Sequence, residues 1–113
     1  MAEWPTETTA AGTVVLRPNG RLNMVAAPDL RDQLRNLVQS GSSRVVVDLS
    51  EVESIDSSGL GALISGLKAA RNAGGDLRIS APSAQVMAVL ELTNLNRVLK
   101  PRESVENAFD EPD

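Results

Sequence analysis

Read for its alternation of apolar and polar positions, the chain switches repeatedly between a period of two and a period near 3.6 residues. Thr13-Val14-Val15-Leu16 is an expected strand. Pro18-Asn19-Gly20 is a turn signal, with Gly20-Arg21-Leu22-Asn23 as the return strand of a hairpin. Leu30, Leu34, Leu37 and Val38 fall at i, i+4, i+7 and i+8, one stripe of a helix. Pro28 and Asp29 stand in its first turn, where both are favoured, and Gly41 closes it. Arg44 to Leu49 carries consecutive valines, as expected of a central strand covered on both faces in a parallel arrangement. Leu60, Leu63, Ile64 and Leu67 repeat the helical stripe, Lys68 and Arg71 suit the negative end of the helix dipole, and Asn72-Ala73-Gly74-Gly75 stops it. Asp76 to Ser80 alternates like a strand with Leu77 and Ile79 inward. Pro82 and Ser83 introduce a third helix bearing Val86, Met87, Val89 and Leu90, with Asn94 as a left-handed cap. Val98-Leu99 reads as a short extended piece closed by Pro101, and Ser104 as the N-cap of a last helical turn or two ending at Phe109.

Strands alternating with helices predict an α/β fold with helices packed on a sheet through right-handed crossovers. The expected core is Val14, Leu16, Leu30, Leu34, Val45, Val47, Leu63, Ile64, Leu67, Ile79 and Leu90. The 113 residues suit one domain, placed at residues 13–109. Residues 1–12 form a small, polar N-terminal segment, a candidate weak edge strand, and residues 110–113 an acidic tail.

Composition narrows the chemistry. Trp4 and Phe109 are the only aromatics, so the core must be aliphatic. Cysteine is absent, which removes a disulfide framework and any thiolate metal site. Histidine is absent too, and with it the commonest metal ligand and general base. A net charge of −4 argues against a nucleic-acid surface. No apolar run approaches the about 20 residues of a membrane span, so no membrane insertion is expected. Met1 to Thr6 lacks the basic and apolar regions of a secretory signal, and the default compartment is the cytoplasm. Glu51, Glu53 and Asp56 lack the spacing of a metal site, and no cofactor motif is present.

The stretch with the most chemical content is Val45 to Leu49, a short acidic connection, and Ile55-Asp56-Ser57-Ser58-Gly59-Leu60-Gly61. A buried strand ends there and two serines open a helix. The first helical turn has unpartnered N–H groups that favour an anion. A phosphate on a serine would add about two negative charges and change what the surface can touch. The ordinary reading of Ser57 is a helix N-cap; Asp56 could cap equally well, and Ser58 is read as structural. Gly59 and Gly61 weaken a helix and suggest close approach by a partner. Arg31 and Arg35 read as a solvated face.

These residues carry a family resemblance. Val-Val-Asp-Leu-Ser, the acidic spacer and Asp56-Ser57-Ser58-Gly59-Leu60-Gly61 resemble the STAS domain of bacterial anti-sigma factor antagonists. Gly20-Arg21-Leu22-Asn23 before the first helix, Gly74-Gly75, and Thr93-Asn94-Leu95 fit as well, so the resemblance covers residues 13–109. It implies a small mixed β-sheet flanked by about four α-helices. It also implies a regulator of transcription in stress responses rather than an enzyme. The unphosphorylated domain binds an anti-sigma factor that is also a serine kinase, and so frees a sigma factor. The kinase phosphorylates the first serine after the aspartate, Ser57 here, and the complex dissociates; a phosphatase acting on phospho-Ser57 restores it. By resemblance, Asn23, Asp56, Ser58, Gly59, Leu60 and Gly61 would border the partner. The resemblance also revises the hairpin: Thr13 to Leu22 runs as one strand, its partner comes from Thr6 to Thr9, the turn is Ala10-Ala11-Gly12, and Asn19-Gly20 is a kink. The chain departs from the family where Asn23 and Arg21 replace acids that would repel an added phosphate.

Two other functions compete. The same fold serves as an unphosphorylated subunit of larger assemblies, in lipid export or stress signalling. A small enzyme would need a serine–base pair or a phosphate loop, and the sequence has neither.

Overall fold

The computed structural model describes residues 3–42 and 44–109; the acidic tail at 110–113 lies outside them. A four-stranded sheet has the order β1 (Thr6–Thr8), β2 (Val14–Leu16), β4 (Arg44–Asp48), β6 (Asp76–Ser80). β1 is antiparallel to β2, and the other pairs are parallel. β3 (Asn19–Leu22) and β5 (Glu51–Ile55) form a separate parallel ribbon. The helices are α1 (Ala27–Gln39), α2 (Ser57–Asn72), α3 (Ala84–Leu92) and the short α4 (Asn96–Leu99). This is the mixed α/β architecture expected of a STAS-like chain.

The backbone decides where the hairpin goes. Thr9 N–H donates to the Thr13 carbonyl, and Gly12 turns the chain at a φ of 85° that suits glycine. The β1–β2 pair therefore forms around Ala10-Ala11-Gly12, and the Pro18-Asn19-Gly20 hairpin does not. Nor do residues 13–22 make one strand. Pro18 lacks the N–H that a ladder needs, and the chain divides there into β2 and β3, which lie in different sheets.

Three other expectations change. The acidic connection is strand β5, with Val52 and Ile55 buried against the core. Val98-Leu99 is helical, because Val98 and Leu99 N–H both close turns onto Leu95. Ser104 does not cap a helix: its N–H and hydroxyl both go to Asn107 Oδ1, and the segment ending at Phe109 is a run of bends and turns.

One continuous core lies between the helices and one face of the sheet, and includes Leu16, Leu30, Leu34, Val45, Val47, Leu63, Leu77, Ile79 and Leu90. Ile64, expected inside, is only half-buried. The opposite face is covered by the C-terminal segment: Val15 and Val46 pack on Ala108, with Val105 and Phe109 around them. Arg78 is buried there. It bonds Asp76 at 3.2 Å and the Ala108 carbonyl at 3.3 Å, and with Arg44 it lies over the Phe109 ring. At the sheet's other edge, Arg17 bridges Glu7 of β1 and Asp48 of β4. The hydrogen bond to Glu7, together with both carboxylate charges, holds that guanidinium above its ordinary range against the opposing effect of burial. The ion triad therefore keeps its cation at any ordinary pH.

α1 and α2 meet at Gly66. A Cβ there would lie 2.7 Å from Leu34 Cδ1 and 3.1 Å from Leu77 Cδ1. Gly61, on the exposed side of the same helix, has nothing within 4 Å of such a Cβ. Gly66→Ala is expected to destabilise by about 1–3 kcal/mol through overpacking. Gly61→Ala should stabilise by about 0.5–1 kcal/mol through helix propensity. Urea midpoints of the two variants check the pair; a shift of the same sign in both would refute this account of the α1–α2 contact.

Candidate functional site

The site is built where β3, β5 and α2 meet. Leu22 and Ile55 end the parallel ribbon as register partners, and Asp56 N–H donates to the Leu22 carbonyl at 3.3 Å. α2 begins at once. A Cβ on Gly59 would lie 2.2 Å from the Leu22 carbonyl oxygen and 2.8 Å from Ile55 Cγ1. Only a residue without a side chain lets the helix seat this close, so Gly59 serves an internal contact rather than the approach of a partner.

Asp56 is the N-cap. Its Oδ1 accepts from Ser58 N–H at 2.9 Å and Gly59 N–H at 3.1 Å. Capping is therefore not the duty of Ser57, which sits exposed at the first helical position with its hydroxyl outside the cap. Ser58 contributes its N–H and is half-buried. The anion-favouring helix start is thus already occupied by the chain's own carboxylate, and an anion on Ser57 would stand beside it.

Asn23 follows Leu22 directly. Its Oδ1 accepts from Val25 N–H at 3.0 Å and Ala26 N–H at 3.2 Å, and its carbonyl from Ala27 N–H. The side chain is spent on the turn that starts α1, a duty an amide performs as well as a carboxylate. Arg21 is exposed on β3.

A groove of about 480 Å³ runs from Ser57 along α2 toward the end of α3. Leu60, Gly61, Ile64 and Leu95 give it an apolar floor, and Thr93 and Lys68 lie on its walls. Lys68 is eleven residues beyond Ser57 on the helix, about 16 Å away, too far to neutralise a charge there. Exposed apolar side chains border the region: Met24 is 73% and Val25 81% exposed beside Asn23, and Leu92 is 87% exposed just before Thr93. The periodicity argument passed over these three because they belong to no buried stripe. Their signal was present as apolar residues adjoining the motif without an element to pack on.

The structure thus brings Asn23, Asp56, Ser57, Ser58, Gly59, Leu60 and Gly61 to one end of the molecule, with Gly59 and Leu60 buried and the rest at least partly accessible. Among the described residues, no group of three or more His, Cys, Asp or Glu is placed to hold a metal ion, and no helix is long and apolar enough to cross a membrane.

The STAS domain family model matches residues 5–108. A Thermotoga maritima protein assigned to the anti-sigma factor antagonists is 34% identical over 99 residues, 87% of this chain and 88% of that protein. The crystal structure of an anti-sigma factor antagonist of that organism superposes with a TM-score of 0.86 at 31% identity, covering 95% of this chain and 92% of its own. The anti-sigma factor antagonist SpoIIAA in its unphosphorylated form has the same fold, with a TM-score of 0.80 at 21% identity over 96% of this chain and 94% of that one. With the family match spanning nearly the whole chain, and the ribbon, capped helix and sheet all in place, the chain belongs to the STAS domain family.

Proposed function

We propose that this chain is an anti-sigma factor antagonist that binds an anti-sigma factor with serine-kinase activity, and that phosphorylation of Ser57 switches the binding off. The observation that carries the reading is the exposed Ser57 at the first position of α2, released from capping by Asp56 and set at the mouth of an apolar groove. Relatives at 34% and 29% identity carry the antagonist name, and the fold neighbour SpoIIAA occurs in a phosphorylated form.

The groove and the exposed Met24, Val25 and Leu92 offer apolar area for a partner. A phosphate on Ser57 adds about two negative charges beside the Asp56 carboxylate, whose two N–H donors are already engaged. Among the described residues Lys68 is the one cation lining the groove, and it stands eleven residues along α2 from Ser57, so the added charge projects onto the docking surface and desolvating it opposes association. Neither step asks this chain for catalysis. The kinase and a phosphatase acting on phospho-Ser57 would be separate proteins.

The test is a binding titration with the anti-sigma factor. Ser57→Ala should retain affinity within about twofold, and Ser57→Asp should lose about tenfold or more, some 1.4 kcal/mol. Phosphosite mapping after incubation with that kinase and ATP should find phosphate on Ser57. Equal affinities for the two variants, with no phosphate on Ser57, would refute the switch and favour a constitutive subunit.

Asp56 separates capping from charge. Asp56→Ala should cost about 1 kcal/mol of stability in chemical denaturation, and Asp56→Asn much less, because asparagine caps as well. If the carboxylate reinforces the switch, Asp56→Asn narrows the affinity gap between phosphorylated and unphosphorylated protein. A gap left at its full size would assign Asp56 to capping alone.

A further inference from the structure

Asn19-Gly20 signals a hairpin, yet the chain makes its hairpin around Ala10-Ala11-Gly12. Gly20 still has a duty, a φ of 76° that a side chain would strain. Asn19 has none. It is exposed, and among the described residues its carboxamide has no hydrogen-bond partner. The Asn23 side chain, by contrast, is engaged by the Val25 and Ala26 N–H groups. Of the seven asparagines in the chain, only Asn19 precedes a glycine. The other six are followed by Met24, Leu37, Ala73, Leu95, Arg97 and Ala108, each with a Cβ beside the peptide nitrogen.

A free carboxamide beside a glycine peptide nitrogen is a reactive pair. The Gly20 nitrogen attacks Asn19 Cγ as its proton passes to hydroxide, the side-chain nitrogen leaves as ammonia, and a cyclic succinimide forms. Glycine favours the closure because no Cβ shields its nitrogen, and the space where a Cβ would lie on Gly20 is open to 4 Å. Water then opens the ring at one of its two carbonyls. Addition at the side-chain carbonyl leaves aspartate. Addition at the main-chain carbonyl breaks the original link to Gly20 and leaves isoaspartate. Its backbone runs through Cβ and Cγ and so carries one extra methylene.

We propose that Asn19 is a site of spontaneous modification through a succinimide, and that its isoaspartyl product unseats the start of α2. The added methylene falls in a strand of four residues whose register against β5 already shifts between Gly20 and Arg21. Leu22 ends that strand fully buried, and its carbonyl oxygen stands 2.2 Å from where a Cβ on Gly59 would lie. A lengthened β3 moves this oxygen either into α2 or away from Asp56 N–H, from which it accepts at 3.3 Å. The aspartyl product adds no length and acts only by its charge, opposite Glu51, its register partner on β5. The reaction consumes only water, is speeded by hydroxide, and uses no atom of Ser57. It therefore stands apart from the phosphorylation switch, although it acts on the same surface.

The experiment ages the full chain in mildly alkaline buffer beside Asn19→Gln, whose longer side chain closes its ring far more slowly. Peptide mass mapping should find the amide-to-acid exchange at Asn19 before any of the other six asparagines. An isoaspartyl methyltransferase should label the aged parent and not the aged Asn19→Gln. Amide hydrogen exchange should show protection at Asp56, Ser58 and Gly59 falling in proportion to isoaspartate content, and kept in aged Asn19→Gln. Freshly prepared Asn19→Asp carries the charge without the methylene and should keep that protection as well. Three results would overturn the proposal: Asn19 left intact or converted no sooner than another asparagine, full protection at Asp56 in isoaspartyl protein, or an equal loss in fresh Asn19→Asp.

Discussion

The structure depends on the seating of one helical turn against one carbonyl. α2 starts so close to the end of β3 that the Leu22 oxygen occupies the space where a side chain on Gly59 would be. The same oxygen accepts from Asp56 N–H, and Leu22 itself pairs with Ile55. Three elements are fixed at one point by a backbone that offers no rotamers and little give. Asp56 can then cap the helix, and the residue after it is directed outward at a defined place. Asn23, one residue beyond the pivot, begins the next turn from the same point. The surface that carries Met24, Val25 and Ser57 thus adjoins this junction directly.

Periodicity made much of this legible. α1 and α2 could be read because their apolar stripes run for two turns or more and their ends carry Pro28, Gly41 and Gly74. β4 and β6 could be read because buried parallel strands are apolar and short. β5 could not, for a physical reason. Its register shifts between Gly20 and Arg21, so β5 places Val52 and Ser54 on consecutive partners and Glu53 is the extra residue. The buried Val52 and Ile55 end up three apart, a spacing that belongs to no strand alternation. α4 escaped because one turn is too short to show a period. The serine motif marked the start of α2, but sequence could not say which residue caps the helix. That depends on which side chain accepts from the open N–H groups of the first turn, and the hydrogen bonds assign the duty to Asp56, which takes both Ser58 and Gly59 N–H.

That assignment alters the electrostatics of the region. A helix start with open N–H groups would draw a phosphate inward and bury its charge. A helix start already filled by a carboxylate leaves any added phosphate facing solvent beside a like charge, with the groove cation Lys68 about three turns of pitch further along. The departures at Arg21 and Asn23 matter less in this light. Asn23 is consumed by its own turn, and the repulsion that an acid there would supply is available from Asp56.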